Sequence, residues 1–292
     1  MHSSTLKLIL KLKLKSTLSK SRIYVLKTIC VPIFAVLGLQ LNDSALAATP
    51  DITQPQVTNP ARVLFVGNSY YYYNNSLHNH VRRMVVASNS SNSADLGKRM
   101  QYKSSTIGGS SLDHHPIDWL TTPGKIGVKE PFELVILAGN SGDALNDKTR
   151  ALFAKTVAEH NQIITSRGAK TALYMTPAYV APHKEVNPQN MRKTEDMVVS
   201  VANEIKGMAI PVGLAFEEAY RRYPDIKLHD KEDGSHPNAW GTYLAASTVL
   251  ASVYALSPVG NSYTMFGVVD AQTATQLQQV AQDVVVKFFN RK

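Results

Sequence analysis

Leu134-Val135-Ile136-Leu137-Ala138 is an unbroken apolar run that ends at Gly139. A strand with one wet face alternates apolar and polar side chains; a strand buried on both faces does not. Burial on both faces is the condition of a central strand in a parallel sheet covered by helices. Outward from this run, further apolar stretches of strand length fall at 62–66, 101–106, 171–176 and 210–213. Segments of helical period lie at about 76–88, 147–166, 189–207, 238–256 and 271–289. In the last of these, Leu277, Val280, Val284, Val285 and Phe288 recur at three- and four-residue spacing, with Gln and Asp between them. Strands alternating with helices predict one α/β/α domain in three layers around a mostly parallel sheet. No internal repeat breaks the pattern.

A chain of 292 residues suits one such domain plus a leader. The net charge of +9 is concentrated at the N-terminus. Residues 1–47 hold seven basic side chains against Asp43, six of the nine net charges, which leaves three to the rest. That remainder has no basic tract of the kind that tracks a phosphate backbone, so no nucleic-acid partner is expected. The leader reads as a secretory signal: a basic region to Lys27, an apolar stretch from Thr28 to Leu41, then Ala45-Leu46-Ala47 as a small-x-small cleavage site. The apolar stretch is shorter than the roughly 20 residues of a membrane span. Cleavage near Ala48 would send the protein to a periplasmic or extracellular space; an uncleaved N-terminal anchor is the alternative. Cys30, the single cysteine, lies within this leader, so the mature chain is expected to have no disulfide and no thiolate ligand. Residues 48–60 carry three prolines and little apolar content and read as a linker. The domain is then 61–292.

Four segments stand where strands end and helices begin, the place where open parallel sheets gather reactive groups. Gly67-Asn68-Ser69 follows the 62–66 strand; its Ser either caps a helix or is presented as a nucleophile. Gly108-Gly109-Ser110 follows the 101–106 strand, and paired glycines let backbone N–H groups approach a ligand. Asn140 ends the most apolar strand, where its amide either occupies a turn or faces an oxyanion. Asp233-Gly234-Ser235-His236 contains the only Asp-x-x-His of the chain. An Asp three residues before a His can fix the ring's tautomer while the other nitrogen takes a proton.

In order and spacing these blocks resemble the SGNH (GDSL-type) hydrolases, whose signature is Ser, Gly, Asn and His in four separated blocks. Ser69 stands in the first block, Gly109 in the second, Asn140 in the third, and Asp233 with His236 in the last. The likeness covers about 61–256. It implies a flavodoxin-like α/β/α fold and an ester hydrolase. Ser69 would be the nucleophile, His236 the base and Asp233 its orienter. The oxyanion hole would be the N–H groups of Ser69 and Gly109 with the Asn140 amide. No metal or cofactor is implied. The chain departs from the pattern twice: Asn68 replaces the usual Asp of the first block, and Ser141 stands where an Asp usually follows the third-block Asn.

Tyr70 to Tyr73 follow the nucleophile, and His114 lies beyond the glycine pair. Tyr70 and His114 are candidates for substrate contact; packing under the sheet edge and a plain surface loop are their alternatives. The expected partner is a small-molecule or carbohydrate ester. An O-acyltransferase acting on glycans and a catalytically silent carbohydrate-binding protein are the rival functions.

Overall fold

The computed structural model describes residues 49–88 and 93–291. The leader expected at 1–47 lies outside the described residues. Five strands form one sheet: β1 Arg62–Gly67, β2 Gln101–Thr106, β3 Leu134–Leu137, β4 Lys170–Tyr174 and β5 Met208–Ile210. Their order is β2-β1-β3-β4-β5, and every pairing is parallel. The apolar run at 134–138 is buried along its whole length, as a strand covered on both sides must be.

Alternation along β1 explains the two cores. Val63 and Phe65 face one helical layer; Leu64 and Val66 face the other. The first layer contains α2 (Leu77–Val86), α7 (Val212–Arg222), α8 (Ala239–Val253) and α9 (Ala271–Phe288). The second contains α4 (Ile117–Thr121), α5 (Asp147–Ser166) and α6 (Asn190–Glu204). Each fully buried Leu or Val side chain of the sheet contributes about 2 kcal/mol of transfer free energy. Two short helices complete the set among the described residues, α1 (Ser69–Tyr72) after β1 and α3 (Ser93–Arg99) before β2.

One expectation is corrected. The strand expected at 210–213 lies at 208–210, because α7 begins at Val212. The apolar stretch from Met208 to Phe216 spans a strand and a helical turn, which composition does not divide. Pro211 divides it: with no N–H to give a sheet, it serves as the cap of α7. The segment read as a linker is tied down from 49 onward. Asp51 N–H donates to Asn203 Oδ1 at 2.9 Å, and Asn203 Nδ2 donates to Thr49 O at 2.9 Å. Arg291 Nε donates to Thr53 O at 2.7 Å. These residues are a strap bonded along the domain, with no regular secondary structure.

The parallel sheet aims every strand's carboxyl end at one edge. Strand order 2-1-3 means the chain leaves β1 and β3 towards opposite faces, opening a crevice between them. Ser69 follows β1, Gly109 follows β2 and Asn140 follows β3, so three distant blocks meet at that crevice.

Candidate active site

Gly67 closes β1 under tight conditions. A Cβ there would lie 3.0 Å from Ala138 Cβ and 3.1 Å from the Tyr71 ring, so a larger residue would push the turn away from β3. Asn68 then caps α1, its Oδ1 accepting from Tyr70 N–H at 3.3 Å. Its Nδ2 donates to Ser110 O and to Gly139 O, both at 3.0 Å. One buried amide thereby joins the loops after β1, β2 and β3. Ser69 is the first residue of α1 and is largely buried.

The His236 loop is built by its own aspartate. Asp233 Oδ1 accepts Ser235 N–H at 2.7 Å and His236 N–H at 3.0 Å, an Asx turn. Its other oxygen, Oδ2, accepts a short hydrogen bond from His236 Nδ1–H. Burial works against the Asp233 carboxylate, but the His236 ring and the two backbone donors outweigh it and hold the carboxyl below its ordinary value. With Nδ1 committed to Asp233, Nε2 is left as the basic nitrogen, and it lies 2.7 Å from Ser69 Oγ. Gly234 is required in this loop: its φ is +63°, and a Cβ would come within 2.1 Å of Val180 O.

Asn140 is held from three sides. Its N–H donates to Asp143 Oδ2 at 2.8 Å, and its Oδ1 accepts Gly142 N–H at 3.0 Å. Its Nδ2 donates one hydrogen to Gly109 O at 3.1 Å, which leaves a second hydrogen on that nitrogen. Among the described residues, the N–H groups of Ser69 and Gly109 find no protein acceptor. Backbone donors left open beside a serine hydroxyl have the geometry in which an oxyanion can be met. Burial raises the Asp143 carboxyl to about 6, against the opposing bond from Asn140 N–H.

The structure thus brings Ser69, Asp233 and His236 into one hydrogen-bonded chain, with Gly109 and Asn140 joined beside it. Tyr70 stands elsewhere in role. It is buried, and its hydroxyl is engaged with Ser235 O and Oγ, both at 2.9 Å, so it offers no free hydroxyl to a substrate. Tyr72, at 41 % exposure, is the member of the tyrosine run that faces solvent. His114 lies in a surface turn with Asp113, 4.0 Å away, as its charged neighbour.

Asp143, the triple role of Asn68, and the contact of Tyr73 with His236 were not legible in the sequence. Asp143 lies in the third block beside Asn140, but nothing local says that its carboxylate returns to the Asn140 N–H. In this chain that carboxylate supports Asn140, while Ser141 Oγ pairs with Tyr179 Oη at 2.8 Å. Among the described residues no cluster of three or more His, Cys, Asp or Glu has the form of a metal site.

No protein-family model matches the sequence, and no curated protein matches it; the likeness is to solved structures. A DUF4886 family protein from Bacteroides uniformis superposes with a TM-score of 0.56 at 17% identity, over 79% of this chain and 95% of its own. A protein from Slackia heliotrinireducens assigned to the SGNH hydrolases gives 0.50 at 18% identity, over 66% and 98%. A mutant of an acetyl-xylooligosaccharide esterase from Geobacillus gives 0.51 at 16% identity, over 68% and 95%. With the parallel sheet in the order β2-β1-β3-β4-β5 and the four blocks at its carboxyl edge, the chain has the fold of the SGNH (GDSL-type) hydrolases.

Proposed function

We propose that the protein is a serine esterase acting on short-acyl esters of carbohydrates outside the cytoplasm. The observation that carries the reading is the 2.7 Å approach of Ser69 Oγ to His236 Nε2, with Asp233 bonded to the opposite ring nitrogen. Ser69 Oγ attacks the ester carbonyl carbon as its proton passes to Nε2. The carbonyl oxygen becomes an oxyanion, met by the Ser69 and Gly109 N–H groups and the spare Asn140 Nδ2 hydrogen. The tetrahedral adduct collapses, the carbon–alkoxy bond breaks, and the alcohol leaves with the proton from His236. Water then repeats both steps on the acyl-enzyme, releasing the acid and restoring Ser69. Asp233 stays ionised throughout and stabilises the transient imidazolium.

The carbohydrate part rests on three supports. The leader has secretory anatomy. Tyr72 presents an aromatic ring to solvent three residues after the nucleophile. One protein of the same fold is an acetyl-xylooligosaccharide esterase. The test is a panel of p-nitrophenyl esters of increasing acyl length, beside acetylated sugars, on wild type and Ser69→Ala. Short acyl groups should turn over fastest, with a burst of the first product, and Ser69→Ala should abolish it. An unchanged rate in Ser69→Ala sinks the reading. Product analysis with an added glycan separates hydrolysis from acyl transfer. Protein recovered from outside the cell should begin near Ala48.

A further inference from the structure

The segment after the nucleophile touches the base-bearing loop at three successive residues. Tyr70 Oη donates to Ser235 O at 2.9 Å. The Tyr73 ring stacks on the His236 imidazole, with centroids 4.4 Å apart and planes 15° from parallel. Asn74 Nδ2 donates to Pro237 O at 2.8 Å and to Thr242 Oγ1, on the first turn of α8, at 2.8 Å. Residues 70, 73 and 74 therefore hold 235, 236 and 237 in the same order. The Tyr70 ring adds a tilted contact with the imidazole at 5.7 Å.

The backbone adopts an unusual path to do this. Asn74, Asn75 and Ser76 have φ of 52°, 68° and 70°, three consecutive non-glycine residues in the left-handed region. Side chains with a Cβ seldom occupy it, and such strain persists where surrounding contacts over-determine the conformation. His80 supplies one such contact, its Nε2 lying 2.6 Å from Asn74 O while its Nδ1 meets Tyr263 Oη at 2.8 Å.

We propose that Tyr70, Tyr73 and Asn74 form a clamp that positions His236 against Ser69, and that the Tyr73 ring face supports the imidazolium formed when Ser69 gives up its proton. The inference deepens the esterase reading and rests on it. The chemistry is differential. An aromatic face attracts a cation, and the His236 ring carries the extra proton only after it has left Ser69 Oγ. The stack is therefore stronger in the transition state than in the resting enzyme, and such interactions raise kcat rather than tighten substrate binding. Burial, with the neighbouring Tyr72, Asp233 and Asp230, pushes the Tyr73 phenol above its usual value, so the ring stays neutral beside the imidazole. These are positioning residues: their partners are the His236 loop and ring.

The experiment compares wild type, Tyr73→Leu, Tyr73→Phe, Tyr70→Phe and Asn74→Ala by proton NMR of the His236 ring and by kinetics on p-nitrophenyl acetate. A stacked phenol shields the imidazole protons, so Tyr73→Leu should move their resonances downfield in the free enzyme. Tyr73→Leu and Asn74→Ala should each lower kcat by roughly 10- to 100-fold, the scale of a small misplacement of a catalytic group. KM should stay within about twofold, since no uniform binding is removed. Tyr70→Phe should lower kcat in the same way, and Tyr73→Phe should recover most of what Tyr73→Leu loses. Wild-type kcat in Tyr73→Leu, unmoved His236 resonances, or a loss confined to KM would overturn the clamp. The spectra need no substrate. If wild type turns over no ester and a fluorophosphonate leaves Ser69 unlabelled, the esterase reading fails, while the resonances still decide whether Tyr73 holds the ring.

Discussion

A carboxamide has two N–H hydrogens to give, and at position 68 both meet carbonyls, those of Ser110 and Gly139. An aspartate there would turn lone pairs towards the same two oxygens, so these partners require an amide at position 68. Asn140 is the other amide whose geometry carries chemistry. Its side chain is fixed by Gly109 O and Gly142 N–H, and its spare hydrogen is the one the proposed mechanism turns towards the oxyanion. Losing one such donor typically removes about 3–4 kcal/mol of transition-state stabilisation. Asn140→Ala should therefore lower kcat roughly 100- to 1,000-fold with little change in thermal unfolding. Steady-state kinetics beside a melting curve checks both halves, and a variant within a few-fold of wild type would remove Asn140 from the oxyanion hole.

At the scale of elements, the site depends on how closely α8 approaches the chain before it. α8 starts three residues after His236, and the Asn238 side chain caps it by accepting Gly241 N–H at 3.0 Å. Gly241 lies against Leu228 and Phe216 with no room for a methyl group: a Cβ would fall 2.2 Å from Leu228 O and 2.9 Å from the Phe216 ring. Leu228 O is backbone and has no rotamer through which to yield. Gly241→Ala should cost about 1–3 kcal/mol of stability, as overpacking does, and should displace the loop that carries His236. Urea unfolding reads the first effect and the acylation rate of Ser69 the second. A variant as stable and as fast as wild type would mean that α8 does not seat this loop. A glycine among the apolar residues of α8 suggests close packing, but its spacing does not say which backbone it meets.

At the scale of the whole molecule, buried titratable groups set the pH range of the fold. His78, His115 and His229 are each lowered to about 4, with burial as the largest cause. A histidine depressed in the folded state contributes stability that is present above about 6.5 and is lost as pH falls towards 4. Asp143, raised to about 6, has the opposite sign: its contribution is full below about 4 and is lost as pH rises through 6. Discounted for solvent screening where burial is incomplete, each shift is worth on the order of 1–3 kcal/mol. Three histidines outweigh one carboxyl, so stability should rise with pH between 4 and 6.5. Urea unfolding across that range should show the midpoint climbing, and His229→Gln should flatten the slope. A midpoint independent of pH would contradict the buried neutral rings. Arg291 works at the same scale. Its guanidinium, lowered to about 10 by burial, donates to Thr53 O, Ala251 O and Ser252 O, joining the N-terminal strap and α8 to the end of the chain.

What the chain determined by itself was local. The apolar run at 134–138 specified a strand covered on both faces. The period of 271–289 specified a helix packed on one side. Asp233 and His236, three residues apart, specified a hydrogen-bonded carboxylate–imidazole pair within one turn. Pattern and short-range hydrogen bonding are functions of neighbouring residues, so they could be read in order along the chain. Tertiary structure alone decided the 167-residue closure of Ser69 on His236, the return of Asp143 to Asn140, and the grip of Tyr70, Tyr73 and Asn74 on the loop at 235–237. Those contacts depend on strand order and on how closely layers pack, and both are settled by the chain as a whole rather than by any stretch of it.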